Sequence, residues 1–482
     1  MSDYFRFAKN IGIVGLTNFL IVLERIILLP IITKLLGPAN YGIWTQLGIT
    51  LSLISPLILL GLPLALVRFL SGNQNKEEIR EGFSSVLFLV FILGAIAALI
   101  LKFFSQPISE FLDIPQNLIQ ILSLIILLEC LISVLFAFFQ VFQEIGKYAF
   151  FFLFKIFGEL GLVVSAVFLG YGLLGAVLAL FAIRLITFFI LLAFLFKKIG
   201  VKIPAFLKIR EYLNFSLPTL LSSVSYWVVT SSDRYLIGFF LGVLFVGYYS
   251  PAYTLGNLLT FFIYPLAFMM PIALSSLFDQ KQIEEVKIYL EYCLKYFLMA
   301  AIPSAFGLSV LSYQLLAIFS TKEIAFNSYY ITPFAALSIL LYGITAFFNQ
   351  VLILTKKTKI SGAIWLISAL LNIGLNFILI PIFGIIAAAL TTLFSYFLSF
   401  GLIWYFSARE FQFKIDWRFI LKSVFASSLM SLFIVWFNPA GLSKTILAIV
   451  LGAVIYGLLI ILSRGFNKRE LEFIKIFKFK KV

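Results

Sequence analysis

The fold is decided by an apolar stretch near the N-terminus, residues 10–68, which reads NIGIVGLTNFLIVLERIILLPIITKLLGPANYGIWTQLGITLSLISPLILLGLPLALVR. It contains two runs long enough to cross a membrane, since a spanning helix needs about 20 apolar residues. The residues Lys34, Gly37 and Pro38, which favour a turn, lie between the two runs. The stretch therefore predicts a pair of membrane helices joined by a short connection.

The same pattern continues to the other end of the chain. Of its 482 residues, 62% are hydrophobic and 12% are charged, which is far outside the usual composition of a soluble domain. Cutting the apolar runs at charges, prolines and glycines predicts an all-α polytopic membrane protein with about fourteen transmembrane helices. The predicted spans are residues 10–33, 42–68, 83–105, 118–142, 150–170, 174–197, 214–238, 245–275, 292–318, 329–354, 361–380, 384–407, 418–437 and 444–464.

The side chains available for catalysis are few. The sequence contains no His, and its two cysteines, Cys130 and Cys293, are too few and too far apart for a metal cluster. We interpret both cysteines as reduced. Metal and hydrolytic chemistry are therefore disfavoured, and we predict a protein that is not an enzyme and that holds no cofactor.

The distribution of Lys and Arg predicts the orientation, because cytoplasmic loops retain positive charge. Most of the 36 basic residues fall on the side of the N-terminus, and the opposite side has only Lys34, Lys102, Lys322 and Lys444. We therefore expect both termini in the cytoplasm and the chain in the inner (plasma) membrane. Topology and attraction to anionic membrane lipids explain the net charge of +15 without nucleic acid. The basic tail, residues 465–482, is predicted to lie on the membrane surface as an amphipathic helix.

Two stretches of the sequence resemble one another. The order Glu24-Arg25, Leu36-Gly37, Tyr41-Gly42, Pro56 and Leu62-Pro63 is repeated as Asp233-Arg234, Leu241-Gly242, Val246-Gly247, Pro265 and Met270-Pro271. The first and seventh predicted spans both start in the cytoplasm, so the two copies share an orientation. Repeats of this kind predict two lobes related by an axis along the membrane normal, with a cavity between them.

Two motifs carry a resemblance to a known family. The run from Leu29-Pro30 to Tyr41-Gly42, and Leu217-Pro218 followed by Ser232-Asp233-Arg234-Tyr235, resemble polysaccharide-repeat-unit flippases of the O-antigen type. These belong to the multidrug/oligosaccharidyl-lipid/polysaccharide exporter superfamily, and the likeness extends along the whole chain. It implies two six-helix lobes, residues 1–200 and 201–408, and two extra C-terminal helices in residues 409–464. It also implies alternating access and an undecaprenyl-diphosphate-linked oligosaccharide that moves from the inner to the outer leaflet, with polysaccharide polymerase machinery as a further partner.

Ionisable residues inside the predicted spans are the first candidates for function, because each is costly against lipid. They are Glu24, Arg25, Glu129, Glu159, Arg184, Asp233 and Arg234. A lipid diphosphate needs cations, and the planar guanidinium of Arg fits phosphate oxygens, so Arg25 and Arg234 are predicted to bind substrate. Neighbours on a helix point about 100° apart, which disfavours tight pairs within Glu24-Arg25 and Asp233-Arg234. Arg25 could instead pair with Glu129.

The remaining charges admit two interpretations. Glu159 and Arg184 lie at similar depth on adjacent antiparallel spans, which favours a structural salt bridge. Glu24, Glu129 and Asp233 could bind the Na⁺ or proton of a coupled cycle, because desolvation raises the pKa of a carboxylate. The sequence does not choose between the two ions.

Polar and aromatic side chains complete the set of candidates. Asn349 and Gln350, with Asn372 and Asn376 one helical turn apart, could hydrogen-bond sugar hydroxyls, although contacts between helices are the more usual role. Tyr226 and Trp227 could stack on a sugar ring.

Two other functions compete with the flippase. An ion-coupled drug or metabolite antiporter of the same fold is the alternative, against which the two extra spans count. A membrane glycosyltransferase or polymerase would need a large loop with acid or base groups, whereas the longest external loop offers only Glu110 and Asp113.

Overall fold

The computed structural model describes residues 2–72, 75–200 and 202–465, and within these residues the regular structure is entirely helical. An all-helical chain is suited to the hydrocarbon core of a membrane, because a helix satisfies its backbone hydrogen bonds internally. The predicted fold class is confirmed. The predicted amphipathic tail falls on residues outside the described part of the chain, apart from Gly465.

The N-terminal half of the chain forms eight helices. They are α1 (Ser2–Leu59), α2 (Leu62–Leu70), α3 (Lys76–Phe103), α4 (Ser105–Leu112), α5 (Gln116–Val141), α6 (Ile145–Phe168), α7 (Gly172–Ile199) and α8 (Ile209–Leu241).

The C-terminal half continues with ten helices within the described residues. They are α9 (Val243–Asn257), α10 (Thr260–Asp279), α11 (Ile283–Val310), α12 (Ser312–Phe319), α13 (Lys322–Ser328), α14 (Ile331–Leu354), α15 (Thr358–Phe383), α16 (Ile385–Ala408), α17 (Trp417–Phe437) and α18 (Gly441–Leu462).

Helix α1 contains the first predicted span and most of the second. Its backbone leaves the helical conformation at Gly37, with φ 83° and ψ 172°, between the two apolar runs. A positive φ is strained for a residue with a Cβ, so glycine is suited to this break. The second predicted span breaks again at Leu60 and Gly61, both with positive φ, and α2 continues it with Pro63 in its first turn.

Eleven helices of the described chain are long and apolar enough to cross a membrane. Every predicted span coincides with helical structure, but the count of fourteen stays a prediction. Helix α8 is absent from the eleven although it has 33 residues, because Ser, Thr and charged residues interrupt its apolar side chains.

The chain divides into two compact units. One contains residues 1–250 and 365–388, and the other contains residues 251–364 and 389–482. The core of the first unit lies around α5, which packs against α3 and α7. In the second unit α11 packs against α14 and α17, and α17 packs against α18. The predicted lobe boundaries stay a prediction.

The sequence repeat has a counterpart in the backbone of the first unit. Gly242 has φ 91° and ψ 163°, close to the values of Gly37, which lies 205 residues earlier. A Cβ on Gly42 would lie 2.1 Å from the carbonyl oxygen of Val243, and a Cβ on Gly247 would lie 1.9 Å from the carbonyl oxygen of Pro38. The two copies of the repeat thus contact each other through equivalent positions, and glycine is required on both sides.

Candidate functional site

The charged residues of α5, α6 and α7 form one buried cluster, composed of Glu129, Lys155, Glu159 and Arg184. Glu129 accepts from Lys155 Nζ at 2.5 Å through Oε1 and from Arg184 Nε at 2.9 Å through Oε2. Arg184 Nη1 lies 3.3 Å from Glu159 Oε2 and donates to the carbonyl of Leu180 at 3.2 Å. The predicted contact between Glu159 and Arg184 is therefore present as part of a larger network.

The helices explain why these four side chains meet. Lys155 and Glu159 are four residues apart on α6 and share one of its faces. Helix α7 packs against both α5 and α6, which brings Arg184 between the two carboxylates. The exposed fraction is 6% for the side chain of Arg184, 12% for Lys155, 15% for Glu159 and 20% for Glu129. The two cations and two carboxylates balance one another, as buried charges must.

The ionisable residues predicted to lie inside spans omit Lys155, although residue 155 falls within the predicted span 150–170. Lys155 lies within α6 and binds Glu129. Charge counting cannot separate a lysine in a loop from a lysine inside a span close to its end. The spacing of Lys155 and Glu159 was the available signal, because opposite charges four residues apart inside an apolar run lie on one face of the helix, where they need partners.

Glu24 and Arg25 lie on α1. Glu24 is half-buried, and its predicted role in ion coupling stays a prediction. The side chain of Arg25 lies outside the described part of the chain. Its predicted role in substrate binding, and its predicted pairing with Glu129, stay predictions.

Asp233 and Arg234 on α8 form a local pair. Asp233 Oδ1 accepts from Arg234 Nη1 at 3.0 Å and from the backbone N–H of Arg234 at 2.8 Å. Tyr249 donates its hydroxyl to Asp233 Oδ2 at 2.5 Å. Arg234 Nη1 also donates to the carbonyl of Thr230 at 2.8 Å, while Gln46 donates to the carbonyl of Arg234 at 2.8 Å.

The expectation that neighbours on a helix do not pair is therefore wrong for this dipeptide. The short Asp233 side chain stays beside its own backbone, and the long Arg234 side chain curls back toward the preceding turn to reach it. The side chain of Asp233 is fully buried, and 9% of the Arg234 side chain is exposed. Burial favours this pairing, because a buried charge without a partner costs free energy.

The polar candidates separate into two groups. Asn376 donates to Asn372 Oδ1 at 3.1 Å, and Ser232 donates to the same oxygen at 3.3 Å. Both asparagines are fully buried, so in this conformation they join α15 to α8. Asn349 Oδ1 and Gln350 Oε1 on α14 are buried and have no hydrogen-bond partner among the described residues.

The two cations of the cluster converge on one anionic group. The described part of the chain holds no group of three or more His, Cys, Asp or Glu side chains that could bind a metal ion. In contrast, Lys155 and Arg184 direct their donors at the two oxygens of a single carboxylate. A phosphate group presents oxygens of the same charge and hydrogen-bonding character.

Family models match two parts of this chain. The model described as "Polysaccharide biosynthesis protein" matches residues 7–278, and the model described as "MatE" matches residues 218–378.

Two archaeal proteins are similar in sequence. The "Probable low-salt glycan biosynthesis flippase Agl15" of Haloferax volcanii is 28% identical over 200 residues, which cover 41% of this chain and 42% of the relative. The "Uncharacterized membrane protein MJ1068" of Methanocaldococcus jannaschii is 27% identical over 266 residues, or 52% of this chain and 50% of the relative. The chain thus spans about half the length of these curated relatives.

Solved structures share the fold. The structure "Lipid II flippase MurJ, inward closed conformation" matches with a TM-score of 0.79 at 18% identity, covering 93% of this chain and 98% of the other. A crystal structure of MATE in complex with MaD3S matches with a TM-score of 0.57 at 13% identity, covering 83% and 95%. The MurJ fold therefore accounts for more of this chain than the MATE fold does.

Proposed function

This chain belongs to the polysaccharide biosynthesis protein family, and from that premise we propose that it is a flippase for a lipid-linked oligosaccharide diphosphate. The substrate moves from the inner to the outer leaflet by alternating access, with undecaprenol as the carrier lipid. The protein lies in the inner membrane with both termini in the cytoplasm, where its basic loops meet anionic lipids. The names of Agl15 and MurJ, which describe flippases of a glycan pathway and of lipid II, support this choice.

The observation that carries the proposal is the convergence of Lys155 and Arg184 on Glu129. Both cations are already desolvated, so an arriving diphosphate does not have to strip them of water. Its oxygens replace the carboxylate of Glu129 and accept from the same donors. We assign phosphate recognition to these two residues because they reach one carboxylate from two different helices, whereas Arg234 pairs with its sequence neighbour Asp233.

The exchange of partners also suggests how transport is coupled to an ion. When Lys155 and Arg184 turn to the diphosphate, Glu129 loses both of its cations and remains buried. An unpaired carboxylate in such a position binds a proton or a Na⁺ ion. Glu24, which is half-buried on α1, is the second acceptor in this proposal.

The alternative function is a drug or metabolite antiporter, which the match of the MatE model to residues 218–378 favours. Helices α17 and α18 weigh against it. They are integrated into the second unit, where Tyr456 of α18 donates to the carbonyl of Met299 at 2.9 Å and Lys295 lies 3.5 Å from Asp416. Twelve spans would be the expected number for that branch.

The test is transport and binding by the variant Lys155→Met. Cells that lack the gene should accumulate a lipid-linked glycan on the inner leaflet, and Lys155→Met should fail to clear it. Binding of the glycolipid to the purified variant should weaken about tenfold or more, since a charge-assisted contact is lost. Lys147→Met is the matched control, because Lys147 lies two turns away on α6 with 53% of its side chain exposed.

Two results would contradict the proposal. Full binding and clearance by a normally folded Lys155→Met variant would leave the cluster a purely structural role. Sensitivity of the deletion cells to drugs, with no accumulated glycolipid, would favour the antiporter.

A further inference from the structure

A group of aromatic side chains near the middle of α8 has no part in the charged cluster. Tyr226 packs edge-on against Trp365 of α15, with ring centroids 5.8 Å apart and an interplanar angle of 80°. Trp227 packs against Tyr235 at 5.9 Å and 51°. Tyr226, Trp227 and Trp365 are all half-buried and belong to the same compact unit. We call these three residues the aromatic shelf.

Hydrogen bonds to α1 fix the position of the shelf. Trp227 Nε1 donates to Ser52 Oγ at 2.9 Å, and Ser52 donates to the carbonyl of Ile49 at 2.8 Å. The hydroxyl of Tyr235 lies 2.6 Å from that of Thr50. The ring of Trp227 is therefore held in place before any ligand arrives, which lowers the entropic cost of binding.

Contact with lipid does not explain the shelf. Trp and Tyr facing lipid collect at the two membrane interfaces, whereas Trp227 lies near the middle of a 33-residue helix. Helix α8 is also too polar to count among the apolar spans, and Ser52 beside the indole is exposed. The surroundings of Trp227 are therefore more polar than those of a lipid-facing indole.

We propose that the aromatic shelf binds a sugar ring of the transported glycan. A pyranose has an apolar C–H face that stacks on an aromatic ring and a rim of hydroxyls that hydrogen-bond to neighbours. The half-buried rings can stack on the C–H face of the sugar. The hydroxyls of Ser52 and Thr230 can hydrogen-bond to its hydroxyl groups. This inference rests on the proposed flippase function, but it concerns the sugar and not the diphosphate.

The test separates the two parts of the substrate. The probes are the lipid-linked glycans extracted from the cells that make the protein, and the same extract stripped of its sugars to the lipid diphosphate. Native mass spectrometry of the purified protein measures the retention of each. The variants Trp227→Leu and Trp365→Leu should lose about tenfold in affinity for the glycolipid and should bind the bare lipid diphosphate as the wild type does.

Two further variants separate stacking from folding. Trp404→Leu is the matched control, because Trp404 of α16 is 45% exposed and lies outside the shelf. Trp227→Phe keeps a ring but loses the hydrogen bond to Ser52, and should retain most of the preference for the glycolipid. A thermal unfolding midpoint for each variant reports the folded fraction.

The outcomes distinguish this inference from the proposed function. If the wild type prefers the glycolipid to the bare lipid and the Trp227→Leu and Trp365→Leu variants lose that preference, the shelf is a sugar site. If these folded variants keep the preference, or the wild type has none, the shelf inference is wrong while the flippase proposal stands. If the wild type retains neither probe, the proposed function fails, and the inference fails with it.

Discussion

The cluster of Glu129, Lys155, Glu159 and Arg184 draws on three helices, whereas Asp233 and Arg234 satisfy each other within a single turn of α8. In the cluster, each charge depends on residues far away in the sequence, so partners can be exchanged when helices move. In the pair, the same backbone carries both charges, and Tyr249 closes the remaining carboxylate oxygen. A buried charge that can change partners is suited to transport, and one that cannot is suited to stability.

The largest effect is expected for Arg184→Met. It leaves Glu159 without its cation and should cost about 3–5 kcal/mol of folding free energy, as breaking a buried ion pair does. The double variant Glu159→Gln with Arg184→Met should recover most of the loss, since Glu129 and Lys155 still pair. Denaturant titration of the purified variants measures both. If the loss of folding free energy in the double variant equalled the sum of the two single losses, Glu159 and Arg184 would not be energetically coupled.

A smaller effect is expected for Asp233→Asn. Arg234 loses its buried counter-ion but keeps the carbonyl of Thr230, so the loss should be about 1.5–3 kcal/mol. Binding of the lipid diphosphate by the folded fraction should not change. If the variant lost binding at normal stability, Arg234 would belong to the substrate site, and the assignment of this pair to stability would be wrong.

The next effect in size concerns the hydroxyl of Tyr249. Tyr249→Phe removes one hydrogen bond to Asp233 and leaves the ion pair, so we expect a loss of about 1 kcal/mol. Thermal unfolding of this variant beside Tyr171→Phe, whose hydroxyl-bearing ring is exposed, measures the difference. Equal midpoints for the two variants would show that Tyr249 does not stabilise the pair.

The smallest effect is expected at Glu144, between α5 and α6. Burial opposes the charge of this carboxyl, but Lys198 and Lys147 outweigh it and hold the pKa below its ordinary value of 4.5. A lowered folded-state pKa means that the stabilisation is present above pH 4.5 and is lost as the pH falls through the folded-state pKa. The stability difference between wild type and Glu144→Gln should be below about 1 kcal/mol at neutral pH.

Thermal unfolding from neutral to acidic pH checks the sign of this prediction. The wild type should be the more stable protein at neutral pH, and the difference should shrink on acidification. A difference that grows as the pH falls would contradict the assignment of the ion pair.

Apolar runs carry most of the information about the fold. Every run predicted as a span falls on one helix or on two consecutive helices. The reason is that burial in lipid depends on the average composition of about 20 residues, so single residues matter little. Gly37 and Pro63 likewise mark real breaks, since their backbone preferences are local. These features depend on short stretches of sequence and can be predicted from them.

The site was harder to predict, because it depends on which helix faces meet. Glu159 and Arg184 were paired from their distances to a common turn, a local signal that the structure reproduces. Lys155 was missed because its partner Glu129 is on another helix. The contact of Arg234 with Asp233 was disfavoured by an argument from helix geometry that takes no account of side-chain length. The contribution of Tyr249 and Gln46 depends on tertiary packing alone.

The contact between Gly42 and Gly247 bears on the ancestry of the chain. Gly42 meets the carbonyl of Val243, and Gly247 meets the carbonyl of Pro38, which is the equivalent of Val243 in the first copy of the repeat. Reciprocal contact between equivalent surfaces is typical of a two-fold symmetric dimer. A half-length ancestor that paired with itself in this way would have needed one glycine codon for both sides. In this chain two codons, those of Gly42 and Gly247, serve the two sides of the contact.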